Sequence, residues 1–439
     1  MKKVGLVSLG CAKNLVDSEM ILGLLDKNKY ILTNDPKEAD YIIINTCAFI
    51  EPSKKETIET IFEMLTYQNA KIIVVGCMAQ RYKEILQKEI PEISLFITLD
   101  DYPVFNEKLS ELDDELHSKE GLDFRNRLLS TKPFTAYLRI ADGCNNCCSY
   151  CAIPLIRGNL KSREMDEIIL EAKDLAFKGV KELVIIAQDT TRYGDDLKSG
   201  ANIEKLLKSL LKIEDFAYIR LLYLYPDEIT DELIELIGSE KKLTPYFDIP
   251  IQHSENEVLR NMNRRGDKKF LLELFGKIKA RVPNAILRTT IMVGFPGESE
   301  TDFANLLEFV KEVEFDHLGA FTYSKEEDTA AHSFSNQIEE GVKKERIDKL
   351  MKLQKKISYH KNKAHIGEIM EGIIISKKGN QYLFRSYWNS PDEVDGNIYV
   401  NSDIALEEGQ IVKVLITNAF VYDLAGEYVI DNEKQIKDN

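Results

Sequence analysis

GCNNCCSYCAIP, residues 143–154, packs four of the chain's seven cysteines into eight positions. It follows the strand-like run at 136–140. Five more such runs, at 182–187, 218–223, 246–249, 285–293 and 317–321, alternate with stretches of helical periodicity. Six strand–helix repeats predict a parallel sheet closing partly or fully into a barrel. Loops after the strands carry the chemistry in such folds, and the cysteine run lies in the first of them.

Thiolate sulfur is a soft ligand that selects zinc or iron–sulfur clusters. Zinc sites usually draw paired Cys-x2-Cys spacings from two places in a chain. Here there is one compact run and no partner pair elsewhere. Three thiolates with a vacant fourth position suit an iron–sulfur cluster open to a small ligand, and structural zinc stays the alternative.

Upstream, the aliphatic runs 4–9, 41–44 and 72–75 are each followed within three residues by a cysteine: Cys11, Cys47 and Cys77. Helical periodicity at 17–25 and 53–65 separates them, so a parallel α/β sheet is expected. That topology gathers the carboxyl ends of the strands on one edge. A single buried cysteine is commonly a small apolar residue. Three at three strand ends point to a ligand triad.

The acidic stretch 107–123 reads as a helix plus linker with a solvated face. From residue 367 the pattern becomes all strand, at 368–376, 381–386, 397–400 and 411–420, broken by Gly, Pro and Asn turns. This predicts a small antiparallel barrel. The expected organisation is an N-terminal α/β domain at 1–122, a linker at 123–131, a partial (β/α) barrel at 132–365, the β-barrel at 366–432 and a tail at 433–439.

No apolar run approaches the ~20 residues of a membrane span. The start, MKKVGLVSLGC, has the outline of a lipoprotein signal. Its apolar run is at the bottom of the ~7–15 residues of a signal core, and Lys13 and Asn14 follow at once. A strand entering a loop fits better, and a cytoplasmic location is expected. Cysteines in such a chain point to metal or catalysis rather than disulfides.

With the spacing Cys144-x3-Cys148-x2-Cys151, the central run resembles the cluster motif of radical S-adenosylmethionine enzymes. That resemblance implies that Cys144, Cys148 and Cys151 hold a 4Fe–4S cluster, and that Cys147 is a bystander. It implies cofactor contacts from Tyr150, from Gln188 and Asp189 at a strand end, and from Gly294, Gly297 and Glu298 in the loop GFPGE. Alone, GFPGE would pass for a type II turn. The whole layout is similar to the methylthiotransferases, in which the upstream triad, here Cys11, Cys47 and Cys77, holds a second 4Fe–4S cluster and the terminal barrel is of the TRAM type. Local words, SLGCAKNLVDSE at 8–19, IAQDTTRYG at 186–194 and RSYWNSPDEVDG at 385–396, resemble the RimO family.

Membership would imply insertion of a methylthio group at the β-carbon of an aspartate in a small-subunit ribosomal protein, S-twelve. Two S-adenosylmethionine molecules would be used per turnover, one to methylate sulfur and one cleaved to a 5′-deoxyadenosyl radical. An electron donor and a sulfur source are implied as partners. No side-chain acid or base is assigned, because an unactivated C–H bond lies beyond polar catalysis and the cofactor carries the hard step. The alternatives are thiomethylation of a modified adenosine in transfer RNA, where GQNVNSYG-like text replaces IAQDTTRYG, and a non-catalytic iron–sulfur carrier.

Charge bears on the substrate. The formal net charge is −15. Residues 366–439 hold six Lys or Arg against thirteen Asp or Glu, a balance of −7. Such a barrel repels a phosphate backbone and attracts a basic protein, so nucleic acid is not expected as the primary partner. The basic helix at 343–363 reads as a solvated face, with an RNA-facing strip as the other reading. His253 and Arg288 receive no role.

Overall fold

The computed structural model describes residues 2–27, 30–112, 121–391 and 394–430. Residues 113–120 of the acidic stretch and the tail at 433–439 lie outside the described residues.

The first unit runs β1 (Lys3–Ser8), α1 (Ala12–Lys27), β2 (Ile31–Leu32), β3 (Tyr41–Thr46), α2 (Glu51–Leu65), β4 (Lys71–Gly76), α3 (Cys77–Glu89), β5 (Leu95–Ile97) and α4 (Phe105–Ser110). Its five parallel strands lie in the order β2-β1-β3-β4-β5. β3 is buried at all six positions because helices cover both faces. Ile42, Ile44, Ile72 and Val74 face Ile61, Met64 and Leu86. Ile43, Ile73 and Val75 pack on the other side against Ile21, Leu24 and Phe105. The alternation is the two-residue period of the strand. β2 and β5 are too short to register as apolar runs and were not expected.

The central unit contains β6 (Thr135–Arg139), the short hairpin of β7 (Ala141–Asp142) and β8 (Lys161–Ser162), and between them α5 (Ile153–Arg157). There follow α6 (Met165–Phe177), β9 (Glu182–Ile186), α7 (Ile203–Leu210), β10 (Tyr218–Leu221), α8 (Asp231–Ser239) and β11 (Tyr246–Asp248). It closes with α9 (Asn256–Asn261), α10 (Lys268–Arg281), β12 (Ile286–Val293), α11 (Glu300–Val313), β13 (His317–Thr322) and α12 (Glu340–Ala364). The six main strands form two parallel sheets, β6-β9-β10 and β11-β12-β13, joined by a single parallel bridge between Ile219 and Leu243. The edge strands β6 and β13 do not pair, so the wall is a partial barrel. Leu183 and Ile185 of β9 pack outward against the helices. Glu182, Val184 and Ile186 point the opposite way, to the face where the C-terminal unit docks.

That last unit is a closed barrel in the order β14-β15-β16-β18-β17, from β14 (Ile369–Lys378), β15 (Gln381–Ser386), β16 (Ile398–Asn401), β17 (Ile411–Ala419) and β18 (Leu424–Val429). The expectation of an antiparallel barrel needs one correction, since β16 and β18 pair in parallel. An odd number of strands cannot alternate direction all the way round a closed ring, so one pair must run parallel. The fifth strand, LAGEYV, was missed because its small and charged residues hide the alternation.

The barrel docks through the loop between β15 and β16. Trp388, 1% exposed, packs edge-on against His317 at 4.8 Å, and its carbonyl lies 2.7 Å from the His317 ring. Tyr246 donates to Asp395, and Arg288 joins Asp395 at 3.2 Å to Asp248 at 2.7 Å. Glu182 is held by Arg220 at 3.4 Å and by Arg385 from the barrel at 2.8 Å. These buried charges are mutually paired, as burial demands. Arg288 is thereby a docking residue.

Candidate active site

The carboxyl ends of β1, β3 and β4 bring Cys11, Cys47 and Cys77 to one edge. Cys11 is exposed on the turn before α1, Cys47 is buried after β3, and Cys77 is the buried first residue of α3. Gly10 sits at φ 90°, and a Cβ there would stand 2.9 Å from the Cys47 Cβ, so the turn closes over Cys47 only with glycine. Burial raises the Cys47 thiol above its ordinary range and pushes that of Cys77 up to about 12; the charge of Cys11 adds to both. The three sulfurs therefore feel one another.

Asn14 organises this edge. Its amide nitrogen donates to the carbonyls of Leu9 at 3.0 Å and Thr46 at 2.9 Å, tying the first two loops together. Its oxygen lies 3.6 Å from the Cys77 sulfur and accepts from Arg157 at 2.7 Å.

The second triad follows β7. Gly143 at φ 69° passes so close to the Asn159 carbonyl that any Cβ would collide with it. From there the loop carries Cys144, Cys148 and Cys151 inward and leaves Cys147 outside. Cys147 is exposed at φ 51°, and its contribution is its carbonyl, which accepts from Asn263 at 2.8 Å. Burial pushes the Cys144 thiol up to about 11 and that of Cys151 up to about 12, and the charge of Cys148 raises both further. Buried thiols of this kind give up their protons when a metal takes the proton's place.

Arg264 and Tyr225 flank Cys148. The Tyr225 hydroxyl is 3.5 Å from its sulfur and the Arg264 guanidinium 3.9 Å, while Arg264 also reaches the Tyr150 hydroxyl at 3.2 Å and stacks over the Tyr225 ring at 4.2 Å. Tyr150 is thus a neighbour of the triad, packed edge-on against Phe295 at 6.5 Å. Neither Arg264 nor Tyr225 belongs to a recognisable sequence word, and their contact to Cys148 spans 116 and 77 residues.

Gln188 and Asp189 stand beside this loop. Asp189 accepts from Asn146 at 2.6 Å and from the Thr191 N–H at 3.1 Å; burial raises its carboxyl despite these donors. Gln188 donates to Asp142 at 2.9 Å, and its buried side-chain oxygen has no partner among the described residues. An unsatisfied buried acceptor at a ligand site fits an ammonium donor such as the amino group of S-adenosylmethionine. The GFPGE loop is built differently from expectation. Glu298 turns inward, 2% exposed, accepting from the N–H groups of Gly294 at 2.6 Å and Phe295 at 3.3 Å and from Arg346 at 2.8 Å. Gly294 and Gly297 have φ of 72° and 87°, and the atoms a Cβ would meet are those of Lys343 and Asn336. The carboxylate thus serves the N–H groups of its own loop and Arg346, and both glycines make room for Lys343 and Asn336. His253 is fully buried 3.9 Å from Glu298, and burial pushes its imidazole down to about 3, so it is neutral.

Arg157, at the end of α5, joins the two triads. It bonds Asp142 at 2.9 Å, two residues before Cys144, and Asp17 at 2.8 Å, and its guanidinium lies 3.8 Å from the Cys77 sulfur. Burial alone would raise Asp142, but Arg157 and Arg139 hold it below the ordinary carboxylate range.

Thiolate donors suit both zinc and iron–sulfur clusters. Among the described residues, no three His, Cys, Asp or Glu side chains converge closely enough for one ion. Zinc wants its thiolates ~2.3 Å from a single point. A polynuclear cluster gives each thiolate its own iron and spreads them apart. Three thiolates in each triad are a donor set that fits an iron–sulfur cluster with one iron left open.

Three family models match the chain: Uncharacterized protein family UPF0004 over residues 3–98, the Radical SAM superfamily over 138–310, and the TRAM domain over 366–429. The chain is 46% identical over 431 residues to ribosomal protein uS12 methylthiotransferase RimO of Alkaliphilus oremlandii, covering 97% of this chain and 98% of the relative. It is 46% identical over 443 residues to the protein of that name from Clostridium botulinum, covering 98% of each. Among solved structures, the radical S-adenosylmethionine methyltransferase TsrM of Kitasatospora setae is similar with a TM-score of 0.54 at 13% identity, covering 73% of each chain. That likeness concerns the fold.

Proposed function

The chain belongs to the RimO family of ribosomal protein uS12 methylthiotransferases, and from that membership we propose that it inserts a methylthio group at the β-carbon of one aspartate of that ribosomal protein. In this reading Cys144, Cys148 and Cys151 hold one 4Fe–4S cluster, and Cys11, Cys47 and Cys77 hold a second. A 4Fe–4S cluster held by Cys144, Cys148 and Cys151 would supply, on receiving an electron, the reductive cleavage of S-adenosylmethionine to a radical able to take hydrogen from an unactivated carbon.

The chain's own residues bind and position. Gln188 offers its free acceptor to the cofactor's amino group, and Asn146 and Arg192 fix the Asp189 carboxylate beside it. Tyr150, held by Arg264, walls the site beside Cys148. Arg264 and Tyr225 place a positive charge and a hydroxyl at that sulfur. No side chain needs to act as acid or base.

The observation that carries the two-centre reading is Arg157. One buried guanidinium touches the Cys77 sulfur and, through Asp142, the base of the Cys144 loop. Sulfur handled at the first triad is thus held close to a radical generated at the second, a gain in effective concentration. Two S-adenosylmethionine molecules per turnover, an external reductant and an external sulfur source complete the proposal. No described helix is long and apolar enough to cross a membrane, in keeping with work in the cytoplasm.

Reduced, iron-loaded protein should be incubated anaerobically with S-adenosylmethionine and either uS12 or transfer RNA. A methylthio mass increase on an aspartate of uS12 is expected. Methylthio-adenosine with an unmodified protein would establish the transfer-RNA reading instead. About eight irons per chain are expected for two clusters, and about four would remove the first.

A further inference from the structure

α12 departs from the electrostatics of the rest of the chain. Against a net charge of −15, it holds nine Lys or Arg and three Asp or Glu, and residues 349–367 contain no Asp or Glu at all. Its buried face is Arg346, Leu350, Gln354, Ile357 and Asn362. The opposite face exposes Lys352, the adjacent Lys355 and Lys356, Tyr359 and Lys363, spaced by about one helical turn along a stripe about 17 Å long. No carboxylate lies within ion-pair distance of Lys352, Lys355 or Lys356 among the described residues. Lys363 lies over the Tyr359 ring at 4.6 Å, presenting a charge and an aromatic face together.

At the end of this stripe, Asn362 donates to the carbonyls of Phe420 and Val421 at 3.1 and 3.2 Å, which sets the β17–β18 turn against the helix. Phe420 and Tyr422 on that turn are 49% and 44% exposed. Unpaired lysines with exposed aromatic rings beside them are what a single-stranded nucleic acid needs: charge for its phosphates and flat apolar surface for its bases. An acidic protein would use the lysines but leave the rings in water.

We propose that the exposed face of α12 binds the phosphate backbone of RNA. Resting on the reading of the substrate as a ribosomal protein, this explains how one enzyme carries a terminal barrel of charge −7 next to a lysine stripe. The acidic barrel faces the basic protein and the stripe faces the RNA in which that protein is embedded, so the protein is engaged in its assembled subunit.

The test uses the iron-loaded full chain and the variant K352E/K355E/K356E, with a fluorescein-labelled single-stranded RNA of ~20 nucleotides, and anisotropy read across a salt series. The variant is expected to bind roughly tenfold or more weakly at ~0.1 M salt, and to lose about two from the slope of log affinity against log salt, three lysines at ~0.7 each. It should modify isolated uS12 at the unaltered rate and assembled small subunits more slowly. An unaltered slope and affinity overturn the proposal, as does tighter binding of polyglutamate than of RNA of equal charge, which would mean an acidic protein partner. The RNA readout does not involve methylthio transfer. Loss of RNA binding in the variant with no modification of uS12 by either form would leave the stripe standing and refute the substrate reading.

Discussion

Replacing Arg157 with methionine keeps an unbranched apolar stem and removes the guanidinium and its charge. The guanidinium is 2% exposed and serves Asp17, 1% exposed, at 2.8 Å, Asp142 at 2.9 Å and the Asn14 oxygen at 2.7 Å. Breaking a buried ion pair by deleting one partner costs about 3–5 kcal/mol, because the other charge stays buried. Asp17 keeps Arg139, and Asp142 keeps Gln188, the Gly143 N–H and Arg139 at 3.6 Å, so the lower end, about 3 kcal/mol, is expected. For domains of this size that is a fall of about 6–12 °C in Tm. A second effect concerns metal. Burial pushes the Cys77 thiol up to about 12 and Arg157 opposes it, so without Arg157 the thiolate forms less readily. Iron per chain should fall from about eight toward about four at pH 7. Calorimetry, iron analysis and the double variant with Asp17→Asn check this; the coupling energy should exceed about 1 kcal/mol. A Tm within about 2 °C of the parent and unaltered iron would refute the assignment of Arg157 as the shared anchor.

Two further outcomes follow from the site. Cys147→Ser should keep full iron and activity while Cys148→Ser loses about half the iron and all S-adenosylmethionine cleavage; iron loss in the first variant would reverse the ligand assignment. Burial pushes the Glu298 carboxyl up to about 7 from its ordinary 4.5, so the folded state binds its proton more tightly than the unfolded chain. Stability attributable to this group is therefore greatest at low pH and falls as pH rises toward 7. Between pH 6 and 8 the parent should lose about 1 kcal/mol relative to Glu298→Gln by denaturant unfolding, and a constant difference would mean that Arg346 keeps the group ionised throughout.

Much of this molecule could be read from one sequence because its signals are local. Runs such as Ile42–Ile43–Ile44 state a doubly covered strand, and a cysteine two or three residues beyond each run states where the edge lies. The spacing of Cys144, Cys148 and Cys151 carries its own chemistry. What escaped is long-range or weak in pattern. Arg157 reaches Asp17 across 140 residues, and Arg264 reaches Cys148 across 116, with nothing nearby to mark either. Glu298 sits in a motif that invites a ligand, yet its carboxylate folds back to satisfy two N–H groups of its own loop. That outcome depends on which way a side chain turns, and spacing alone does not encode it.

The docking of the terminal barrel bears on how the chain can be divided. Arg220 and Glu182 are buried, and Arg288 half-buried, because Arg385, Ser386 and Asp395 cover them. A truncation at the end of α12 would open the inner wall of the central unit to water, leave Glu182 with Arg220 alone and Arg288 with Asp248 alone, and strip His317 of the Trp388 lid. The barrel is accordingly no detachable adaptor: it stoppers one end of the central fold, and shuffling it for another binding module would require a replacement of equal fit.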